Sequence, residues 1–270
     1  MTVDPTKPRT ILVIHGVQTQ TNDKLDQHKQ IEELVKNRMG TMPMRFNMDI
    51  YRYEDINDAA QKVFVKKYMK LGYLLSRLPI GGALLADAFD IVADVVTLRA
   101  ETSTAAKVRR ELREKILAIY ASQSPCYVVA HSLGSIYAFD VINDLMLETD
   151  YFDRKSRKTW PVQGLVTLGS PIGLPMFSHG RQQVTELGEG NKFFRWLNYW
   201  DRTDPVVSGK IFGTHLSGFD IAEQYRTDSI TQGWDIRDKQ VDTGKVWLMA
   251  HVAYWDNPMV GDGLLDLIMN

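Results

Sequence analysis

Ala130-His131-Ser132-Leu133-Gly134-Ser135 is the stretch whose residue types could do chemistry. It follows the apolar run Cys126-Tyr127-Val128-Val129 and precedes Ile136-Tyr137-Ala138-Phe139. A strand that runs into a tight turn, with a helix leaving on the far side, presents a serine at its tip. That is the setting in which a hydroxyl becomes a nucleophile. The turn is strained, so the residues two before and two after must be small, and here they are Ala130 and Gly134. Against the pattern G-x-S-x-G, alanine replaces the first glycine; it keeps the small size and gives up some backbone freedom. The ordinary structural alternative is a strand-loop-helix joint that carries a serine. The partners this serine needs are elsewhere in the chain.

A serine hydroxyl requires a base to take its proton and an acid to orient that base. On a doubly wound sheet both come from loops after later strands, in the chain order Ser, acid, His. The acid candidates are Asp201 and Asp204, both after the aromatic run that ends at Trp200. Asp204 is preferred because Pro205-Val206 closes its loop and sets an apolar anchor beside the carboxylate. Asp201 is the rival, and a turn or cap aspartate is the ordinary role for either. Downstream of the acid only His215 and His251 can be the base. His215 follows too soon for the chain to cross another strand and return, so His251 is the expected base. His131 adjoins the serine, but its side chain should point away. His28 belongs to an early helix, and His179 lies after a Gly-Ser-Pro turn, within possible reach of a substrate. The oxyanion formed on attack needs two backbone N–H donors. The Leu133 N–H, at a helix start, is one. The Val17 N–H, in the loop that Gly16 lets turn closely after the first strand, is the other.

These groups need a scaffold. The 270 residues are 44% hydrophobic, enough for a sizeable core. Net charge is −1, so there is no global basic field of the kind nucleic-acid binding needs, and no nucleic-acid partner is expected. The single cysteine, Cys126, cannot form an intramolecular disulfide, which fits a reducing compartment. Met1 to Arg9 holds no signal-type apolar segment, and the run Leu78 to Ala86 is too short to span a bilayer. A soluble, cytoplasmic protein is expected.

Apolar strands alternate with amphipathic helices, the pattern of a mainly parallel sheet covered on both faces. Strands are expected at Thr10–Ile14, Met48–Tyr53, Cys126–Val129, Gln163–Leu168, Lys192–Trp200 and Trp234–Val241. One helix carries the stripe Leu25, His28, Ile31, Leu34 and Val35 and stops at Gly40. A second carries Val108, Leu112, Ile116 and Ile119, a third Ile136, Phe139, Ile142 and Met146, and a last spans Gly263 to Ile268. Residues 56–102 exceed what a strand-helix-strand unit needs and read as an inserted pair of helices broken at Pro79-Ile80-Gly81-Gly82. Extra core is one reading of them; a lid over an acyl pocket or a membrane-contacting face is the other.

Together these residues resemble the α/β-hydrolase superfamily from about Arg9 to the end, least over the inserted helices. Within it the chain is most similar to lipase-like serine esterases, including the intracellular phospholipase A1 group. Three segments carry that likeness: Val129 to Asp140, Leu168-Gly169-Ser170-Pro171-Ile172-Gly173, and Asp204-Pro205-Val206. The resemblance implies one α/β-hydrolase domain over residues 1–270, with an inserted helical lid at 56–102. It also implies hydrolysis of a small-molecule or lipid ester through an acyl-serine, with no metal and no cofactor. The lipid assignment is analogy. The same triad could pass the acyl group to another acceptor or cleave a thioester, and a non-catalytic binding module of this fold is the reading from another class. Peripheral membrane contact through the inserted helices is a further expectation.

Overall fold

The computed structural model of the chain describes residues 1–15, 27–40, 45–53, 103–148, 151, 153, 156–178, 180–181, 194–207, 221–225, 234–246 and 248–270. Among these residues six strands form one parallel sheet: β1 Arg9–Ile14, β2 Phe46–Tyr51, β3 Cys126–His131, β4 Gly164–Leu168, β5 Phe194–Asp201 and β6 Trp234–Val241. Their order is β2-β1-β3-β4-β5-β6. The chain therefore moves outward from β1 to β2, then returns to the other side of β1 for β3. Sites on open parallel sheets form at such a reversal, outside the carboxyl ends of the strands.

The helices are α1 Gln27–Met39, α2 Ser103–Ala121, α3 Leu133–Leu147, α4 Pro175–Ser178, α5 Ile221–Tyr225, α6 Leu248–His251 and α7 Pro258–Met269. Strand alternation splits the apolar residues between two cores. Leu12, Ile14, Val128 and Ala130 face α2 and α3, whose Val108, Leu112, Ile116, Phe139 and Ile142 are buried there. Ile11, Val13, Tyr127 and Val129 face the opposite layer, built from Ile31 and Val35 of α1 and Val260, Leu264 and Leu267 of α7. The sheet is thus covered on both faces, which is consistent with an α/β-hydrolase fold. No helix among the described residues is long and apolar enough to cross a membrane.

Local signals explain most element ends. Gly40 takes a left-handed φ of 55° and its N–H returns to the Lys36 carbonyl, closing α1. Strand β6 spans the residues its pattern predicts. Strand β2 runs Phe46–Tyr51 rather than Met48–Tyr53, because its parallel partner β1 ends opposite Tyr51 at Ile14. Helix α7 begins at Pro258, five residues before the expected Gly263. The Asn257 side chain accepts from the Met259 N–H and Pro258 occupies the first turn, a start signal in plain sequence. The expected inserted helices at 56–102 lie outside the described residues.

Gly263 shows how tightly α7 seats on the sheet. A Cβ there would lie 1.8 Å from the hydroxyl of the buried Tyr199, which donates to the Met259 carbonyl. Alanine normally favours a helix over glycine by about 1 kcal/mol. Here overpacking dominates, and Gly263→Ala should destabilise the protein by about 1–3 kcal/mol in urea unfolding. Equal or greater stability would refute this packing.

Candidate active site

The elbow forms because β3 stops at His131 and α3 starts at Leu133, leaving one residue to reverse the chain. Ser132 has φ 53° and ψ −131°, a conformation that L-residues seldom adopt. Its N–H donates to the Leu168 carbonyl at the end of β4. Gly134 lets α3 begin against the end of β1: a Cβ there would lie 2.6 Å from the His15 carbonyl oxygen. Ala130 pairs with Ile14 and Thr167 as an ordinary buried strand residue, so alanine at the first glycine position fits.

A polar chain anchors the elbow from below. The Ile172 N–H donates to Ser170 Oγ, Ser170 bonds Ser135 Oγ at 2.6 Å, and Ser135 donates to the Ser132 carbonyl. Each hydroxyl proton then has one consistent direction, from Ser170 to Ser135 to Ser132. Both supporting serines are fully buried, so an unpaired hydroxyl there would be costly.

Ser132 Oγ lies 2.9 Å from His251 Nε2, and His251 Nδ1 lies 2.9 Å from Asp204 Oδ2. The partners dictate the tautomer: with the proton on Nδ1 donated to the carboxylate, Nε2 is free to accept from the serine. His251 ends the short helix α6, in the return after β6. Asp204 has no exposed surface, and its other oxygen accepts from the Val206 N–H. This is a serine–histidine–aspartate triad on a nucleophile elbow, an arrangement that supports ester cleavage by serine-hydrolase chemistry.

Asp201, the rival acid, has another job. Its two oxygens accept the N–H and hydroxyl of Thr203 and of Thr243, tying the loop after β5 to the loop after β6. Burial pushes its carboxyl up, but those four hydrogen bonds outweigh burial and hold it below the usual carboxylate range.

His131 does not reach the serine, yet it is not idle. Its Nε2 lies 2.7 Å from the His251 carbonyl oxygen, and the two rings pack with centroids 4.7 Å apart. Burial first, then the neighbouring His251, hold its imidazole well below the usual range, so it stays neutral and donates. Its ring also packs against Tyr254 and against Trp255, which stacks on His15. His28 is on α1, near His15. His179 and His215 lie outside the described residues. So does Val17, whereas Leu133 opens α3 beside Ser132.

Two site residues escaped the sequence reading. Gly169 has φ 55°, and a Cβ there would fall 2.9 Å from Asp204 Oδ2 and 3.0 Å from His251 Nδ1. Its signal was the Gly-Ser-Pro turn. Tyr254 donates to Asp204 Oδ2 at 2.7 Å; only its place three residues after His251 hints at this. Among the described residues no group of His, Cys, Asp and Glu could hold a metal ion.

No protein-family profile matches the chain, nor does any curated protein sequence. Among solved structures it is similar to an alpha-beta serine hydrolase homologue from Coxiella burnetii, at 10% identity over 97% of this chain and 87% of that one, with a TM-score of 0.41. TT1662 from Thermus thermophilus is 13% identical over 98% and 90%, with a TM-score of 0.43. Est1E from Butyrivibrio proteoclasticus is 9% identical over 99% and 91%, with a TM-score of 0.44. Likenesses this loose add nothing to what strand order and site geometry show.

The two aspartates should separate cleanly. Asp204→Asn should lower kcat on the order of 10⁴-fold. Asp201→Asn should instead lower stability by about 1–3 kcal/mol at neutral pH, with a much smaller effect on kcat. That stabilisation is complete above about pH 4 and fades as pH falls through the depressed folded-state value, so the urea midpoints of wild type and Asp201→Asn should converge in acid. Gly169→Ala should cost at least tenfold in kcat, about the scale of misplacing a catalytic group. Full activity in that variant would show that the loop after β4 is not constrained by the triad.

Proposed function

We propose that this protein hydrolyses acyl esters of lipids through an acyl-serine intermediate. The observation that carries the ester-cleaving part is the unbroken hydrogen-bonded line from Ser132 through His251 to the buried Asp204. Ser132 Oγ attacks the ester carbonyl carbon while its proton passes to His251 Nε2. The carbonyl π electrons move to oxygen, and the Leu133 and Val17 N–H groups are the proposed donors to that oxyanion. Collapse breaks the bond to the leaving alcohol, which takes the proton from His251. Water then gives a proton to His251 as its oxygen attacks the acyl-serine, and release of the acid returns that proton to Ser132. Asp204 orients His251 and stabilises the imidazolium.

Three features support a lipid substrate. Val246, Met249 and Val252 are large, exposed apolar side chains within a few residues of His251. The sequence of residues 56–102 is amphipathic, and in this reading it forms the lid that meets the acyl chain or a membrane surface. The Gly-Ser-Pro and Asp-Pro-Val segments resemble those of lipase-like esterases. A cytoplasmic setting belongs to the same reading. Its support is a lone cysteine that is buried, with its thiol pushed far up by that burial, leaving it inert.

Fluorophosphonate labelling together with a series of p-nitrophenyl esters from short to long acyl chains tests both parts. Wild type should label and should favour medium or long chains, whereas Ser132→Ala should do neither. Labelling that persists in Ser132→Ala would remove the nucleophile assignment. Activity confined to the shortest esters would remove the lipid assignment and leave the hydrolase. Transfer of the acyl group to an added alcohol in preference to water would replace hydrolysis with acyl transfer.

A further inference from the structure

The triad chemistry uses Asp204 Oδ2 as the acceptor for His251, and leaves open why a phenol is aimed at that same oxygen. Tyr254 is fully buried. Its hydroxyl donates to Asp204 Oδ2 at 2.7 Å and accepts from the Asp201 N–H at 2.9 Å. We propose that Tyr254 is a positioning residue for the Asp204–His251 pair, fixing the carboxylate oxygen in line with the imidazole and sharing its negative charge. The inference rests on the reading of Ser132 as the nucleophile of an ester hydrolase.

The direction of the phenol proton follows from its neighbours. A backbone N–H can only donate, so Asp201 occupies a lone pair of the hydroxyl and its single proton goes to Asp204. Burial first, then the charge and hydrogen bond of Asp204, push the ionisation of Tyr254 well above the usual phenol range, so that proton stays in place. The geometry is built from one turn. His251 lies within, and Tyr254 directly after, a turn closed by the Ala253 N–H on the Ala250 carbonyl, which delivers imidazole and phenol to one carboxylate oxygen. Gly169 leaves the room: a Cβ there would sit 2.8 Å from Tyr254 Cε2.

Two donors on Oδ2 have a chemical consequence. A carboxylate that already accepts from a neutral hydroxyl attracts a proton less strongly. Without the hydroxyl, proton uptake by the Asp204–His251 pair becomes easier. The other groups that face the pair among the described residues stay as they are. From the elbow comes Ser132, and from the end of β3 the neutral His131, packed on His251. From the end of β1 comes His15, one ring farther away against Trp255. From the loop after β5 comes Asp201, its carboxylate held by Thr203 and Thr243. The loop after β4 brings Gly169, which has no charge. A change in titration on removing the phenol oxygen therefore reports that oxygen.

The test is the rate of Ser132 modification by a fluorophosphonate, with ester kcat and KM alongside, across the pH range in which histidine titrates. In Tyr254→Phe the acid limb should move to higher pH by about one unit. Its kcat should fall about tenfold with KM nearly unchanged. A merely structural hydroxyl lowers activity and melting temperature without moving the limb, so an unmoved limb overturns the inference. If Tyr254→Phe does not fold, 3-fluorotyrosine at position 254 serves instead. It is a stronger donor and should move the limb to lower pH; an unmoved or raised limb overturns the inference. Wild type that fails to label overturns the hydrolase reading and this inference with it. Wild type that labels beside a variant with an unmoved limb overturns this inference alone.

Discussion

The buried carboxylate of Asp204 is the constraint on which the rest of the site depends. A carboxylate with no exposed surface loses several kcal/mol of hydration, and partners must replace the water. Three donors do so: His251 Nδ1–H and the Tyr254 hydroxyl on one oxygen, and the Val206 N–H on the other. They come from α6, from the turn behind it and from the loop after β5, so the return from β6 must pass close to that loop. The Thr203 and Thr243 bonds to Asp201 hold the two loops together at their bases. Gly169 is the space this arrangement needs. The loop after β4 approaches so closely that even a methyl group would collide with the carboxylate and the imidazole.

The nucleophile is held by a different device. Its backbone is in an unfavourable conformation, and such strain persists only where the surroundings over-determine it. The Leu168 carbonyl takes its N–H, the Ser135–Ser170 chain takes its carbonyl, and α3 is wedged against His15 with no room for a side chain at position 134. His15 at the end of β1 and the turns after β3 and β4 thus fix the serine, while the segments after β5 and β6 fix its base. The strand order sets these five segments along one end of the sheet, with the reversal between β1 and β3 where the elbow sits.

Strands buried on both faces are continuous apolar runs, which is why Thr10–Ile14 and Cys126–Val129 stand out in the sequence. Helices α2 and α3 show their buried stripes at three- and four-residue spacing, and Val108, Leu112, Phe139 and Ile142 are indeed core. The triad was legible because its members sit in chain order, each after its own strand. Register was not. Strand β2 slides two residues toward its N-terminal end because its partner stops at Ile14, a fact about pairing and not about the Met48–Tyr53 pattern. The start of α7 is encoded by Asn257-Pro258, a cap signal upstream of the apolar stripe that begins at Gly263. Tyr254 and the Ser135–Ser170 pair depend on segments far apart in sequence meeting in space, and no local pattern encodes that; the Gly-Ser-Pro turn marks Gly169 as a turn residue but not the carboxylate and imidazole it makes room for.

The last constraint concerns the charge that appears during turnover. His251 becomes an imidazolium when it takes the serine proton, in a place almost closed to water. Its closest ring neighbour is another histidine. A protonated His131 would oppose that charge at a centroid distance of 4.7 Å, where poor screening makes repulsion strong. Burial prevents this by keeping His131 neutral, and its remaining N–H is spent on the His251 carbonyl, which holds the backbone of the base. Next to it, Trp255 adds an uncharged face. Among the described residues, the groups in direct contact with that imidazolium are the carboxylate of Asp204 and otherwise neutral side chains. Such a setting favours the charge only when the carboxylate is in line with the ring, so the placement of Asp204, more than its mere presence, decides how well the serine is activated.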